Sequence, residues 1–473
     1  MSDNFTHLNR IFEQQVAAHN AQPMSSAQER REVIQQVIQM LVDGHSSLAE
    51  AMEADFGGRS QTFSLMNDIL GSLGSLKHTR DNLEQWLTIE ERDVFAPYDQ
   101  LGAKAQVMYQ PKGVIGIMGT WNAPLYTLLS PLACALGAGN RVILKPSELA
   151  PRTAAVLAEL VQQKIDPNWV NVVTGDSEIG KAFSATPFDH IVFTGSPNVG
   201  KKIMAAASEN LTPVTLELGG KSPAIISTSA DLQDACRRLA IAKGTNGGQI
   251  CISPDIIYVP SHLLYSAIQE LNAEFTCCYP TITNNPDLVP IINATHYERI
   301  NHYIDDAVAK GVKVEYSHDE QDPVGRRMPL TMVINPPADS KIMQEEIFGL
   351  AVIIKTYDDF EDVIADIQSR PNPLALYYFG NDQKQQTQVL EDIRAGGVSI
   401  NDALMHAAIH DAPFGGTGQS GMGHYHGKEG FLTFSHNKTI FHAPAQDLRR
   451  EWGMLPPFSN DFKAMIEAQI TAD

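Results

Sequence analysis

The chain has 473 residues, 43% hydrophobic and 19% charged, the balance of a soluble globular protein too long for one core. Its formal net charge of −20 argues against nucleic acid or an anionic membrane as partner, since both reward positive surface. Five cysteines (Cys134, Cys236, Cys251, Cys277, Cys278) are few and odd in number, which suits a reducing cytoplasm and excludes a disulfide framework; Cys277-Cys278 lack metal-ligand spacing, and no metal site is expected.

Met1-Ser-Asp-Asn-Phe-Thr-His has neither the basic start nor the apolar core of a signal peptide, and no apolar run is long enough to span a bilayer. A cytoplasmic location is therefore expected. From Ala27 to Ala54 apolar residues recur at helical spacing (Val33, Ile34, Val37, Ile38, Leu41, Leu48), and Phe56-Gly57-Gly58 stops the helix. A second helical run spans about Ser64 to Leu87; both are packing elements. Ala103 to Tyr109 alternates like a half-buried strand. Then short apolar strands (Val114–Met118, Arg141–Leu144, Val170–Val173, Ile191–Phe193) alternate with helices, the pattern of a parallel, doubly wound sheet. A second series starts near Val214 and runs through Ile225, a helix from Asp231 to Lys243, and Ile256–Val259, to about Asn401. The predicted fold class is α/β, with two tandem doubly wound parallel-sheet domains and a small β oligomerisation or bridging element. The boundary between the two series is set at Thr212-Pro213.

Ligands of such sheets bind at the carboxyl ends of the strands, and polar clusters fall there. Asn122, in Gly119-Thr-Trp-Asn-Ala-Pro124, could donate to a developing oxyanion or merely cap a helix. Lys145-Pro-Ser147-Glu148 could meet ribose hydroxyls or form a surface turn. Thr194-Gly195-Ser196 and Gly200 precede or open a helix whose N–H groups could face a phosphate, although the run lacks the G-x-G-x-x-G pattern. Glu217, between two leucines, would gain a general base's pKa if buried and would be inert on an exposed edge. Glu346 reads singly as a solvated loop charge. In Gly244-Thr-Asn-Gly-Gly-Gln-Ile-Cys251 glycines would let a ligand approach a nucleophilic thiol; the plain alternative is a packed, inert cysteine.

Taken in order, these motifs resemble those of the aldehyde dehydrogenases. The residues carrying the likeness are Gly119–Pro124, Lys145–Glu148, Phe193–Ser196, Leu216–Lys221, Gly248–Cys251, Glu345–Gly349 and Pro413–Gly416. Cys251-Ile-Ser-Pro-Asp255 and Ser420–Gly427 with Thr433–Ser435 resemble the class 3-like branch, and within it the coniferyl aldehyde dehydrogenases. The resemblance implies NAD or NADP as cofactor and a small-molecule aldehyde as substrate. Cys251 would form a thiohemiacetal, Asn122 and the Cys251 N–H would hold the oxyanion, and hydride loss would leave a thioester. Glu217 would activate water. Lys145, Ser147 and Glu148 would serve the adenosine ribose, and Thr194, Gly195, Ser196 and Gly200 the pyrophosphate. Glu346 and Phe348 would position the nicotinamide side. On this basis 1–90 and 111–212 would form the cofactor domain, 213–410 the catalytic domain, and 91–110 with 411–473 the bridging segments of a homodimer. Trp121, Tyr126, Met405 and His406 are expected at the substrate mouth. Ile250, Leu350 and Ala123 depart from the family pattern. The alternatives are a cysteine esterase, a coenzyme A-acylating enzyme, or a non-catalytic protein on the same fold.

Overall fold

The computed structural model describes residues 2–96 and 98–472. With strands numbered along the chain, one sheet runs β15-β7-β6-β3-β4-β5. It contains β3 (Val114–Met118), β4 (Arg141–Lys145), β5 (Val170–Val172), β6 (His190–Gly195), β7 (Val214–Leu218) and β15 (Gly421–Met422). All pairings are parallel except that of β15 with β7. A second sheet runs β10-β11-β12-β9-β8-β13-β14. It contains β8 (Pro223–Ile226), β9 (Ile256–Pro260), β10 (Lys313–Tyr316), β11 (Thr331–Ile334), β12 (Ala351–Tyr357), β13 (Ala375–Phe379) and β14 (Gly397–Ile400), with β10 antiparallel to β11. Strands β3, β4, β8, β9 and β13 are buried along their whole length. That burial on both faces is why they read as unbroken apolar runs. The α/β class and the two parallel sheets are as expected.

Both large sheets lie in one compact unit, residues 1–86 with 111–435. Residues 87–110 with 436–473 form a second unit, built on β1 (Glu90–Arg92), β2 (Lys104–Pro111) and β16 (Ser435–His442). No helix among the described residues is long and apolar enough to cross a membrane.

The structure corrects the chain-order reading at three places. The crossover between sheets comes one strand later than Thr212-Pro213: β7 pairs in parallel with β6, so Glu217 belongs to the first sheet. Alternation counts strands but says nothing of which neighbour each one bonds to. A helix at Ser2–Ala21 was not anticipated; Phe5, Leu8, Ile11 and Phe12 pack on the first sheet's core. The run from Ser64 is not one α-helix, because Leu65–Leu70 winds as a π-helix before Gly71–Trp86. The stretch after His410, expected either across a partner subunit or back on the first domain, takes the second course up to Ser435: Gly421 pairs with Glu217 on the first sheet and Phe431 is fully buried. The helix Ala27–Phe56 ends as expected, on Gly57 in the left-handed conformation at φ 75°.

Candidate active site

The cysteine loop owes its shape to three consecutive left-handed residues. Asn246, Gly247 and Gly248 have φ of 53°, 64° and 73° and end the helix Leu232–Gly244 in a tight turn. A Cβ on Gly248 would stand 2.3 Å from the Gly349 carbonyl oxygen, and one on Gly247 2.7 Å from that of Val289. The glycines therefore serve close backbone packing within the protein, and not the approach of a ligand that the sequence suggested. Gln249, fully buried, fastens the turn: its Nε2 donates to Asn246 O (2.9 Å) and Pro290 O (3.0 Å), and its Oε1 accepts from Ile292 N (3.0 Å). On the other side of the cysteine, Tyr377 Oη donates to Ile252 O at 2.6 Å. Between these anchors the half-buried Cys251 faces a cavity of about 1280 Å³. Burial, followed by the negative charge of Glu217, pushes its thiol well above the ordinary value, so the resting sulfur carries a proton.

Glu217 lies on β7 between β6 and β15, only 1% exposed, which excludes the exposed-edge alternative. Register sets it beside Thr194. Neither carboxylate oxygen makes a formed hydrogen bond, nor does the Thr194 hydroxyl. Burial raises the carboxyl to about 7; the nearby Cys251 thiol and Thr194 hydroxyl oppose the rise only in part. A carboxyl with that value exchanges protons at neutral pH.

Asn122 is buried in the loop after β3, and it does not cap the next helix, which begins at Tyr126 without a local side-chain cap. Its Nδ2 donates to Gln249 O at 2.9 Å, and its own backbone carbonyl accepts from Asn246 Nδ2 at 3.0 Å. The amide has a second N–H to offer, and Asn122 lines the same cavity as Cys251 and Glu217.

Thr194, Gly195, Ser196, Glu346 and Phe348 line that cavity too. Ser196 caps the helix Pro197–Ser208 through Val199 N, leaving the helix start at the cavity. Glu346 is half-buried and no free loop charge: its Oε1 accepts from Gly220 N at 3.3 Å, and burial with the Asp255 charge lifts it to about 8. Phe348 holds a left-handed φ of 51°, a strained backbone for a bulky residue. Its ring meets Trp121 edge-on at 5.3 Å. Lys145, Ser147 and Glu148 stand apart from the cavity lining. Lys145 is buried at the end of β4 and pairs with Glu148 at 3.2 Å, while the Ser147 hydroxyl accepts from Leu149 N. Gly200 does not line the cavity either; a Cβ there would meet the Leu218 side chain at 2.8 Å, so its smallness serves helix–strand packing. Trp121, Tyr126 and Met405 line the cavity as expected, with Ile250 and Ala123. His406 does not: its Nδ1 bonds the Ser399 hydroxyl at 2.9 Å.

A model of the aldehyde dehydrogenase family matches residues 6–440. The chain belongs to the aldehyde dehydrogenase family. It is similar to a probable coniferyl aldehyde dehydrogenase of Caulobacter vibrioides, 39% identical over 98% of this chain and 96% of that protein. A coniferyl aldehyde dehydrogenase of Pseudomonas sp. is 43% identical, covering 89% and 88%. Among solved structures, Staphylococcus aureus AldH in a substrate-bound state superposes with a TM-score of 0.91 at 35% identity, covering 98% of this chain and 99% of that one. Pseudomonas syringae indole-3-acetaldehyde dehydrogenase AldA, solved with NAD+, gives 0.84 at 25%, covering 93% and 89%. The enzyme class follows: an NAD(P)-dependent aldehyde dehydrogenase.

In this aldehyde dehydrogenase, sequence reasoning passed over Gln249, Tyr377 and Lys221. Lys221 Nζ donates to Asp255 Oδ2 (2.8 Å) and to the carbonyls of Ile342 (2.7 Å) and Glu345 (2.8 Å), tying the Glu346 loop to β7's exit. Gln249 and Lys221 stood inside quoted motifs, so their places were visible. Their partners, 41 and 124 positions away in the chain, were not.

Proposed function

We propose that the enzyme oxidises an aromatic aldehyde such as coniferaldehyde, or a medium-chain aliphatic one, to the carboxylic acid by a cysteine thioester route ending in hydrolysis. The observation that carries the reading is the convergence of Cys251, Glu217 and Asn122 on one cavity, with Glu217 raised to about 7. The aldehyde class is supported by the coniferyl aldehyde dehydrogenases to which the chain is similar and by aromatic side chains in the cavity wall, Phe63, Trp121 and Tyr126 among them.

The Cys251 sulfur attacks the aldehyde carbon as the thiol proton passes to Glu217, and the carbonyl oxygen becomes an oxyanion held by the free N–H of Asn122. Bound NAD(P) supplies the acceptor for the aldehyde hydride. The carbon left on Cys251 is then a thioester. Glu217, having released its proton, takes one from a water molecule; the hydroxide adds to the thioester carbonyl, and Asn122 again holds the oxyanion. Collapse breaks the C–S bond, Cys251 recovers a proton, and the acid leaves. The unpaired Glu217 oxygens fit this use, since a base locked in hydrogen bonds would be weaker.

The residues present fit the cofactor. A cavity of about 1280 Å³ exceeds the ~300–1,000 Å³ that one small ligand fills. The start of the helix Pro197–Ser208 suits a pyrophosphate, Glu346 a ribose, and the Lys145–Glu148 pair at the end of β4, outside the cavity lining, the far ribose. A dimer through 91–110 and the C-terminal tail belongs to the same proposal, supported by exposed Phe95, Phe441, Phe458 and Met465; sedimentation reads it directly.

The test is a steady-state panel of coniferaldehyde, benzaldehyde and hexanal, each with NAD and with NADP, following reduced nicotinamide by absorbance. Cys251→Ser should abolish the signal while folding stays intact. Retained oxidation would sink the role of Cys251, whereas ester turnover without cofactor, and no cofactor binding, would favour an esterase.

A further inference from the structure

Asp68 is fully buried, is paired with Arg59, and has no part in the chemistry described so far. It sits within the π-helical turn Leu65–Leu70, between the helices Gln61–Ser64 and Gly71–Trp86. Its Oδ2 accepts from Arg59 Nη2 at 2.6 Å and from Asn67 Nδ2 at 3.2 Å. Both Arg59 and Asp68 are 0% exposed. The guanidinium is held between the Phe56 and Phe63 rings, 4.9 and 4.8 Å from their centroids. The second carboxylate oxygen reaches across to another element: Oδ1 accepts from Leu125 N at 3.1 Å and Tyr126 N at 3.3 Å.

Those two amides begin the helix that follows Asn122, and that helix has no side-chain cap of its own. Without Asp68 they would be buried donors lacking partners. Stability alone does not account for the arrangement, because a buried ion pair is commonly no better than apolar side chains of the same volume. A π-turn is likewise an unusual conformation, found often at functional sites. Phe63, Met66 and Asn67, from the same stretch, line the cavity that Asn122 lines. One carboxylate thus joins a wall of the substrate cavity to the backbone just beyond the amide that would hold the oxyanion.

We propose that Asp68, braced by Arg59, is a positioning residue for Asn122: it fixes the 122–126 backbone so that the Asn122 amide stays aimed at the reacting oxygen. This rests on the reading of Asn122 as the oxyanion donor. Paired variants test it without stranding a lone buried charge. Arg59→Met/Asp68→Leu removes the acceptor for both amides; Arg59→Met/Asp68→Asn keeps an amide oxygen for them. The leucine pair should lose about tenfold or more in kcat, as displacement of a positioned group does, with cofactor KM changed by about twofold at most. The asparagine pair should recover to within about threefold of the parent. Alkylation of Cys251 by iodoacetamide builds no oxyanion and should run at the same rate in all three. Should the leucine pair not fold by circular dichroism, Arg59→Met/Asp68→Ala takes its place.

Repeating the comparison on an Asn122→Ala background separates the two readings. The gap between the leucine and asparagine pairs should vanish there. Equal kcat in the two pairs, an undiminished gap without Asn122, or alkylation falling in step with kcat would each overturn the positioning role. If Asn122→Ala alone leaves kcat unchanged, it is the oxyanion assignment that fails, and the proposal with it.

Discussion

Replacing Glu217 by glutamine keeps the size and removes the base and the charge, and the structure sets two separate magnitudes for the result. A positioned general base contributes about 10²–10⁴-fold, so steady-state turnover should fall by about that factor. Because Glu217 accepts the thiol proton in the attack and a water proton in the hydrolysis, both steps should slow, and reduced nicotinamide should form without a fast burst. In the parent enzyme, turnover limited by hydrolysis should rise with pH through about 7, where the buried carboxyl ionises; in the glutamine variant that rise should be absent. The second magnitude is thermodynamic. The carboxyl goes from an ordinary 4.5 to about 7 in the folded protein, which corresponds to about 3 kcal/mol. Because the folded value is the higher one, the contribution to stability is complete below pH 4.5 and is lost as pH rises through about 7. The cofactor-free glutamine variant should therefore match the parent near pH 4.5 and be the more stable, by up to about 3 kcal/mol, at pH 8 and above. Thermal unfolding of both proteins across that pH range reads the difference. Turnover within about threefold of the parent would refute the assignment of Glu217 as base. An unfolding difference that does not vary with pH would refute the argument from burial.

Two further changes probe the loops around it. Asn122→Ala should lower kcat by about 10²–10³-fold, the usual effect of losing one oxyanion donor, with a smaller change in aldehyde KM; steady-state kinetics with the best aldehyde checks it. Gly248→Ala combines a left-handed backbone with a Cβ 2.3 Å from the Gly349 carbonyl oxygen. It should destabilise by about 2 kcal/mol or more, seen as a lower unfolding midpoint in denaturant. Equal midpoints would mean that the turn relaxes at little cost.

Periodicity identified most of the elements, because strands buried on both faces must be apolar throughout and helices covering them must be apolar on one side. It also led to Glu217 near the end of β7, since a charged residue set in an apolar run stands out against its neighbours, whereas the cysteine loop was marked by its glycines. It could not say that β7 bonds to β6, nor that β15 returns from Gly421 to pair with Glu217. A strand's hydrogen-bond partners leave no local mark on its sequence. The glycines of the loop show the same limit. Their conformational freedom was legible, but its beneficiary, the backbone around Gly349 and Val289, lies far along the chain.

Glu217 marks the division most sharply. As a residue type between two leucines it was equally an exposed charge or a buried base, and sequence by itself went no further than that pair of options. What the sequence did determine was the order of chemical groups along the chain and the α/β alternation that delivers them to strand ends. The tertiary structure alone decided that β7 lies between β15 and β6 with the carboxyl buried, that its oxygens are left unpaired, and that its proton is held near neutrality. The reason is physical: a pKa follows from solvent exclusion and neighbouring charge, and both come from residues distant in the chain and near only in space.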